Sequence, residues 1–170
     1  VAIDPTQPVV NDLTVEVARR QVGSSGTIPM TASWVLGRAP VGTSTYELER
    51  TIDGGASWQT LESKARSTSA ATSVGDGRAT TLSVRARSST GARSAWITSP
   101  AVTARVVQED ASAVRHSSGW RRVRIDQASK GYRLQSSKSG ATVTSRFTGR
   151  SIALVAARGR LLGRADIRID

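Results

Sequence analysis

The sequence predicts an all-β protein built from two successive β-sandwich units. Apolar residues alternate with polar residues at period two along many short segments, and Gly, Asp and Ser fill the intervals between them. No window of 11 or more residues keeps the apolar stripe of an amphipathic helix. Short alternating segments separated by frequent turns are typical of β-sandwiches.

The first 105 residues contain the clearest alternation. In each of four segments the apolar side chains share one face: Leu13, Val15 and Val17; Met30, Ala32, Trp34 and Leu36; Tyr46, Leu48 and Ile52; Leu82, Val84 and Ala86. Turns are predicted at residues 23–26, 53–55, 75–77 and 89–91, each of which contains glycine. We therefore expect strands over these segments, joined by tight turns.

One of these turns has a recognisable pattern of its own. Asp53, Gly54 and Gly55 tolerate the positive φ angles of a hairpin turn, and Asp53 can accept hydrogen bonds from turn amides. Trp58 can fold its ring back over the hairpin. The pattern T-x-D-x-G-x-S-W over residues 51–58 resembles the Asp-box of sialidase propellers and other exported β proteins. That resemblance implies a structural hairpin, and the alternative is a calcium or glycan site.

The N-terminal part, residues 1–105, resembles a fibronectin type III domain, an immunoglobulin-like sandwich. The resemblance depends on Trp34, Tyr46, the Asp-Gly-Gly hairpin, residues 82–87, Gly91 and residues 94–96. Residues 28–34, 46–50 and 54–58 are similar to type III repeats of large exported bacterial proteins. The chain departs from the family at Leu82, where a tyrosine is usual.

Residues 106–170 are predicted to form a second unit. A strand is expected over 106–114, and further strands over 119–125, 131–135, 141–148 and 165–170. Residues 152–156 predict a more buried strand, and the alternation also predicts that Phe147 is buried. The motifs at 119–120, 140–149, 151–155 and 163–170 resemble the jelly-roll module that follows type III repeats in those bacterial proteins.

A complete jelly roll has eight strands, and this stretch supplies about half of them. We therefore expect that the module is truncated at its C-terminus. The alternative is that another chain completes the sheet, because an open sheet edge favours pairing with a further strand.

The basic residues are concentrated in this second unit. Residues 1–110 carry a net charge of +1, whereas residues 111–170 carry +10. We expect Arg133, Arg146, Arg158, Arg160, Arg164 and Arg168 to form a basic surface. Such a surface is either a solvated arginine-rich face or a site for anionic envelope polymers or acidic glycans. Nucleic acid is not favoured, because no recognised motif accompanies the charge and few aromatic residues are available for base stacking.

Sugar binding and catalysis each require particular side chains. Pyranose rings stack on exposed aromatic residues, and the candidates near turns or strand ends are Trp96, Trp120 and Tyr132. His116 is the single histidine, no G-x-S-x-G motif occurs, and cysteine is absent. The sequence therefore predicts a protein that is not an enzyme and has no cofactor or metal.

These observations lead to an expectation about function. We expect a non-catalytic binding module of an exported bacterial surface protein that contacts polysaccharides or anionic envelope polymers. The alternative is a structural subunit or spacer of an extracellular fibre, as a homo-oligomer or with a strand-completing partner chain. No apolar run is long enough to span a bilayer, and no leader opens the chain, so a secretion signal would have been removed or would lie upstream.

Overall fold

The computed structural model describes residues 7–18, 27–39, 44–157, 159–160 and 162–169. These residues form antiparallel β-sheets and contain no α-helix, so the all-β prediction is confirmed. The chain divides into two compact units, with a boundary between Val106 and Val107. In the part of the chain that is described, no helix is long and apolar enough to cross a membrane.

The first unit contains two sheets. The first sheet has three strands in the order β1 (Val9–Val17), β2 (Thr27–Arg38) and β5 (Ser69–Gly75). The second sheet has the order β4 (Gln59–Ala65), β3 (Thr45–Thr51), β6 (Ala79–Arg87) and β7 (Ile97–Thr98). A short strand β8 (Val102–Thr103) also pairs with β6.

The core of this unit is formed by the alternating side chains that the sequence predicts. Trp34 of β2 and Tyr46 of β3 are both buried, and their rings meet edge to face with centroids 5.3 Å apart. Apolar side chains from both sheets surround them: Val10, Leu13, Ala32, Leu48, Leu82, Val84 and Ala86. This packing explains why the period-two pattern is strong here, because one face of each strand is shielded from water.

Strand β1 departs from simple alternation. Val10 and Leu13 are three residues apart, yet both are buried. The pairing register with β2 shifts between Asn11 and Leu13, and Asp12 has a φ of 48°. A bulge of this kind inserts one residue and returns the following side chains to the same face.

The third strand ends one residue earlier than its apolar pattern predicts. Thr51 closes β3 and is buried, whereas Ile52 is 46% exposed. The prediction that Ile52 lies on the inner face was therefore wrong, because the chain turns into the hairpin at this point. The turn predicted at 23–26 lies outside the described residues.

Strand β7 is only two residues long, and serine side chains extend its attachment to β6. The Leu82 amide donates to Ser99 Oγ at 3.1 Å, and the Ala86 amide donates to Ser94 Oγ at 2.9 Å. The Ser99 and Ser94 amides donate back to the carbonyl oxygens of the same two β6 residues. The hydroxyls thus accept from buried β6 amides on either side of the short ladder.

The second unit contains two small antiparallel pairs. Strand β9 (Val114–His116) pairs with β12 (Val143–Ser145), and β10 (Arg121–Arg124) pairs with β11 (Tyr132–Gln135). A single 3₁₀ turn, Ser129–Gly131, precedes β11. The strands expected within 119–125 and 131–135 are therefore present.

Other expectations for this unit were wrong. Residues 106–113 form no strand, Phe147 is 44% exposed, and residues 152–156 are exposed and form no strand. Described residues 165–169 are also exposed and outside any strand. A period-two pattern becomes a strand only where a neighbouring strand accepts its hydrogen bonds and covers its apolar face. Among the described residues, no strand does so for these segments.

Candidate functional site

The Asp53 hairpin is held by hydrogen bonds within the turn. Asp53 Oδ1 accepts from the Ser57 amide at 3.0 Å and from the Thr51 hydroxyl at 2.6 Å, and the Ser57 hydroxyl donates to Asp53 Oδ2. The hydroxyls of Ser57 and Thr51 hold the pKa of Asp53 well below its ordinary value of 3.8. Gly54 and Gly55 have φ angles of 74° and 102°. These contacts agree with a structural role for the hairpin.

Trp58 does not become buried in this hairpin. Its side chain is 40% exposed, and Ile52 at the start of the turn is 46% exposed. The side-chain hydrogen bonds of Asp53, Thr51 and Ser57 are all made within residues 51–57.

Trp96 lies on the outer face of the second sheet, where an arginine covers its ring. The Arg85 guanidinium carbon is 4.3 Å from the centre of the Trp96 ring, within cation–π distance. Arg85 Nε donates to Glu47 at 2.8 Å, and Arg93 lies 3.7 Å from the other oxygen of Glu47. One face of Trp96 is therefore occupied by the protein's own cation.

A shallow cleft of about 330 Å³ surrounds this group. Apart from Leu48, its remaining lining is polar and comes mainly from β3 and β4: Glu49, Thr60, Ser63, Lys64 and Arg87. Partial burial raises the pKa of Glu49; Arg85 opposes this shift and Glu47 reinforces it. The cleft places hydroxyl, ammonium and carboxylate groups beside an aromatic ring. Groups of these kinds contact sugars in binding sites.

Tyr132 in the second unit is covered in the same way. The Arg122 guanidinium carbon is 3.9 Å from the centre of the Tyr132 ring. Arg122 also donates to Glu109 at 2.8 Å and to Asp110 at 3.0 Å. These contacts raise the pKa of Arg122, with the Glu109 hydrogen bond as the largest cause. Arg122 is thus fixed between two carboxylates and a ring.

Trp120, the third aromatic candidate, is only half-buried. Its indole Nε1 is shielded from solvent and has no hydrogen-bond partner among the described residues. The three sugar-binding candidates lie on different elements. Trp96 belongs to the first unit, and Trp120 and Tyr132 belong to the second. Whether any of them binds a sugar stays a prediction.

The basic surface of the second unit is largely unneutralised. Arg146, Arg160, Arg164 and Arg168 are exposed, and Arg133 is half-buried and donates to Gln135. Arg158 lies outside the described residues. In the described part of this unit, ion pairs involve only Arg122 and Arg124. Ten described basic residues of this unit form no ion pair with another described residue: Arg115, Arg121, Lys130, Arg133, Lys138, Arg146, Arg150, Arg160, Arg164 and Arg168.

Residues with catalytic potential are not assembled among the described residues. His116 is exposed at the end of β9, and its ring Nδ1 lies 3.3 Å from the Ser117 carbonyl oxygen. No group of three or more His, Asp or Glu side chains within the described ranges could hold a metal ion.

Sequence reasoning missed Arg85, Glu47 and Arg122. Each faces outward on its strand and was indistinguishable from a solvent-facing charge. Glu47 stands opposite Arg85 in the pairing of β3 with β6, and the pairing of β10 with β11 places Arg122 on the same face as Tyr132. The pairing register brings these side chains together. No spacing in the sequence indicates these pairs, because Arg85 lies 11 residues from Trp96 and Arg122 lies 10 residues from Tyr132.

In comparisons with known proteins, no family model and no curated protein matches this chain. The fibronectin type III and jelly-roll resemblances therefore stay predictions, and the site is interpreted from its own geometry.

Proposed function

We propose that the chain is a non-catalytic binding module of an exported bacterial surface protein, and that its second unit binds anionic glycans or envelope polymers. In this proposal a fibronectin type III-like sandwich precedes a partial jelly roll. The sheet orders β1-β2-β5 and β4-β3-β6-β7 support the first assignment, because an immunoglobulin-like sandwich packs two such antiparallel sheets.

The main support for this proposal is the set of described basic side chains in the second unit that form no ion pair. In the described part of that unit the acidic residues are Glu109, Asp110, Asp126 and Asp166, and the first three already pair with Arg122 or Arg124. The remaining cations are mostly exposed and face solvent. A polyanion that neutralises them releases its own condensed counterions, which favours binding.

The stacked aromatic residues favour a charged polymer over a neutral sugar. A pyranose needs a free aromatic face, yet Arg85 covers one face of Trp96 and Arg122 covers one face of Tyr132. A neutral sugar would have to displace a guanidinium or use the opposite face. An anionic polymer needs no free aromatic face, because it can pair with the exposed cations of the second unit that form no ion pair.

A heparin column tests this proposal with matched variants. Replacing Arg146, Arg160 and Arg164 by Gln is expected to lower the salt concentration at which the chain elutes. Replacing the exposed Arg66, Arg78 and Arg105 of the first unit removes the same charge and is expected to have a smaller effect. Equal shifts for the two triple variants would contradict a site in the second unit.

A second function is supported by a different observation. The described residues beyond β12 expose several large apolar side chains: Phe147, Ile152, Leu154, Val155, Leu162, Ile167 and Ile169. Such a concentration of exposed apolar residues marks an interaction surface. The chain would then be a structural subunit or spacer of an extracellular assembly, in which another strand completes the sheet. Light scattering at increasing protein concentration distinguishes this function, because a strict monomer contradicts it.

A further inference from the structure

The last described residues of the chain, 164–169, form what we call the terminal segment. Every residue in it is exposed, including Ile167 at 69% and Ile169 at 72%. Among the described residues, none in this segment forms a hydrogen bond or an ion pair. Its backbone donors and acceptors are therefore free to pair with another strand.

The side chains of the terminal segment suit a strand with two different faces. Ala165, Ile167 and Ile169 fall on one face at period two, and Arg164, Asp166 and Arg168 fall on the other. A strand paired with this segment, with a matching apolar face, would cover these three residues.

The order of charges on the polar face identifies the partner. In an antiparallel pair of identical segments centred on Ile167, Asp166 of one copy stands opposite Arg168 of the other. The two-fold symmetry repeats this contact, so each copy contributes both partners. The same register sets Ile167 against Ile167 and Ala165 against Ile169. A one-residue shift would place unlike faces together and lose the match.

We infer that the terminal segment is a self-complementary pairing strand, through which two copies of this chain associate. This inference rests on the second proposed function and names its partner. The net charge of +11 on each copy opposes association at long range. At physiological ionic strength that repulsion is screened beyond about 8 Å, whereas opposed side chains on paired strands lie roughly 5 Å apart.

Charge reversal in the full chain tests the register, with sedimentation equilibrium as the readout. The wild-type chain is expected to form a concentration-dependent dimer. Asp166→Arg and Arg168→Asp each place like charges opposite one another twice, and each is expected to weaken dimerisation about tenfold. The double variant D166R/R168D restores opposite charges and the wild-type net charge, so it is expected to recover the dimer.

The exposed Arg124–Asp126 pair provides a matched control. These side chains are 78% and 83% exposed, and they are also two residues apart. Arg124→Asp and Asp126→Arg change the net charge by the same amounts as the test variants, and dimerisation is expected to stay within about twofold of wild type, as for surface changes away from an interface.

Three results would overturn the inference. A double variant that dimerises no better than the single variants would refute this register, and persistent association in all charge variants would leave the assembly function standing without it. A wild-type chain that stays monomeric would overturn both the pairing strand and the assembly function. Heparin elution would still report separately on polyanion binding.

Discussion

The serine hydroxyls that attach β7 to β6 allow a quantitative prediction. Ser99 is buried, and its hydroxyl accepts the Leu82 amide at 3.1 Å while donating to the Pro100 carbonyl oxygen at 2.9 Å. Replacing Ser99 by Ala removes the acceptor without creating a clash. The Leu82 amide is then left without a partner in a buried position.

The expected cost follows from the desolvation of that amide. A buried donor that loses its partner destabilises a protein by about 1–3 kcal/mol. For a domain of 60–100 residues, each 1 kcal/mol lowers the melting temperature by roughly 4–8 °C. Ser99→Ala is therefore expected to lower the melting temperature of the first unit by roughly 4–24 °C. Ser94→Ala leaves the Ala86 amide without its acceptor and is expected to lower the melting temperature by a similar amount.

Thermal and urea unfolding, followed by tryptophan fluorescence, measure this change. Trp34 is buried in the core of the unit and reports its loss. Ser89→Ala is the control, because Ser89 is exposed and the expected change is below about 0.5 kcal/mol. If Ser99→Ala matched Ser89→Ala, the hydroxyl would not be the acceptor that holds β7 in place, and the reasoning would be refuted.

Three further predictions concern the hairpin and the Trp96 group. The pKa of Asp53 is lowered on folding, so its stabilising contribution is complete above its ordinary value of 3.8 and declines progressively as the pH falls from there through the lower folded pKa. Asp53→Asn should abolish this acid dependence in urea titrations; an unchanged pH profile would contradict it. Gly55→Ala forces a side chain to a φ of 102° and should cost about 1–3 kcal/mol in calorimetry, whereas Gly163→Ala, which meets open space, should be neutral. Arg85→Ala should expose Trp96 to acrylamide quenching more than Arg66→Ala does, and equal quenching would exclude the stacked arrangement.

The first unit was largely predictable because its alternation reports real burial. The side chains of Trp34, Leu48 and Val84 were placed on inner faces from period two alone, and each is buried. The β1 bulge was not predictable. Asp12 adopts a positive φ there, and an aspartate indicates that conformation much less strongly than a glycine does. The end of β3 was missed for a similar reason, since Ile52 continues the apolar pattern into a turn.

The candidate site was less predictable than the fold. Trp96 and Tyr132 were identified as candidate aromatic residues for sugar binding, but the arginines that stack on them were not. Stacking depends on which residues face each other across strands, and a strand sequence does not contain its own register. In the second unit the same limit was more severe, because residues 152–156 have a strand pattern without a paired neighbour among the described residues.

The amino-acid sequence by itself determined that this protein is all-β, that its charge is concentrated after residue 110, and that the Asp53 hairpin is a tight turn. These properties depend on residue type and local spacing, which the sequence contains in full. Tertiary structure alone decided that Arg85 and Arg122 cover the aromatic rings, that serine hydroxyls attach β7, and that the described large apolar residues beyond β12 face solvent. These properties depend on partners distant in sequence, because burial and hydrogen bonding are satisfied between strands and not within one.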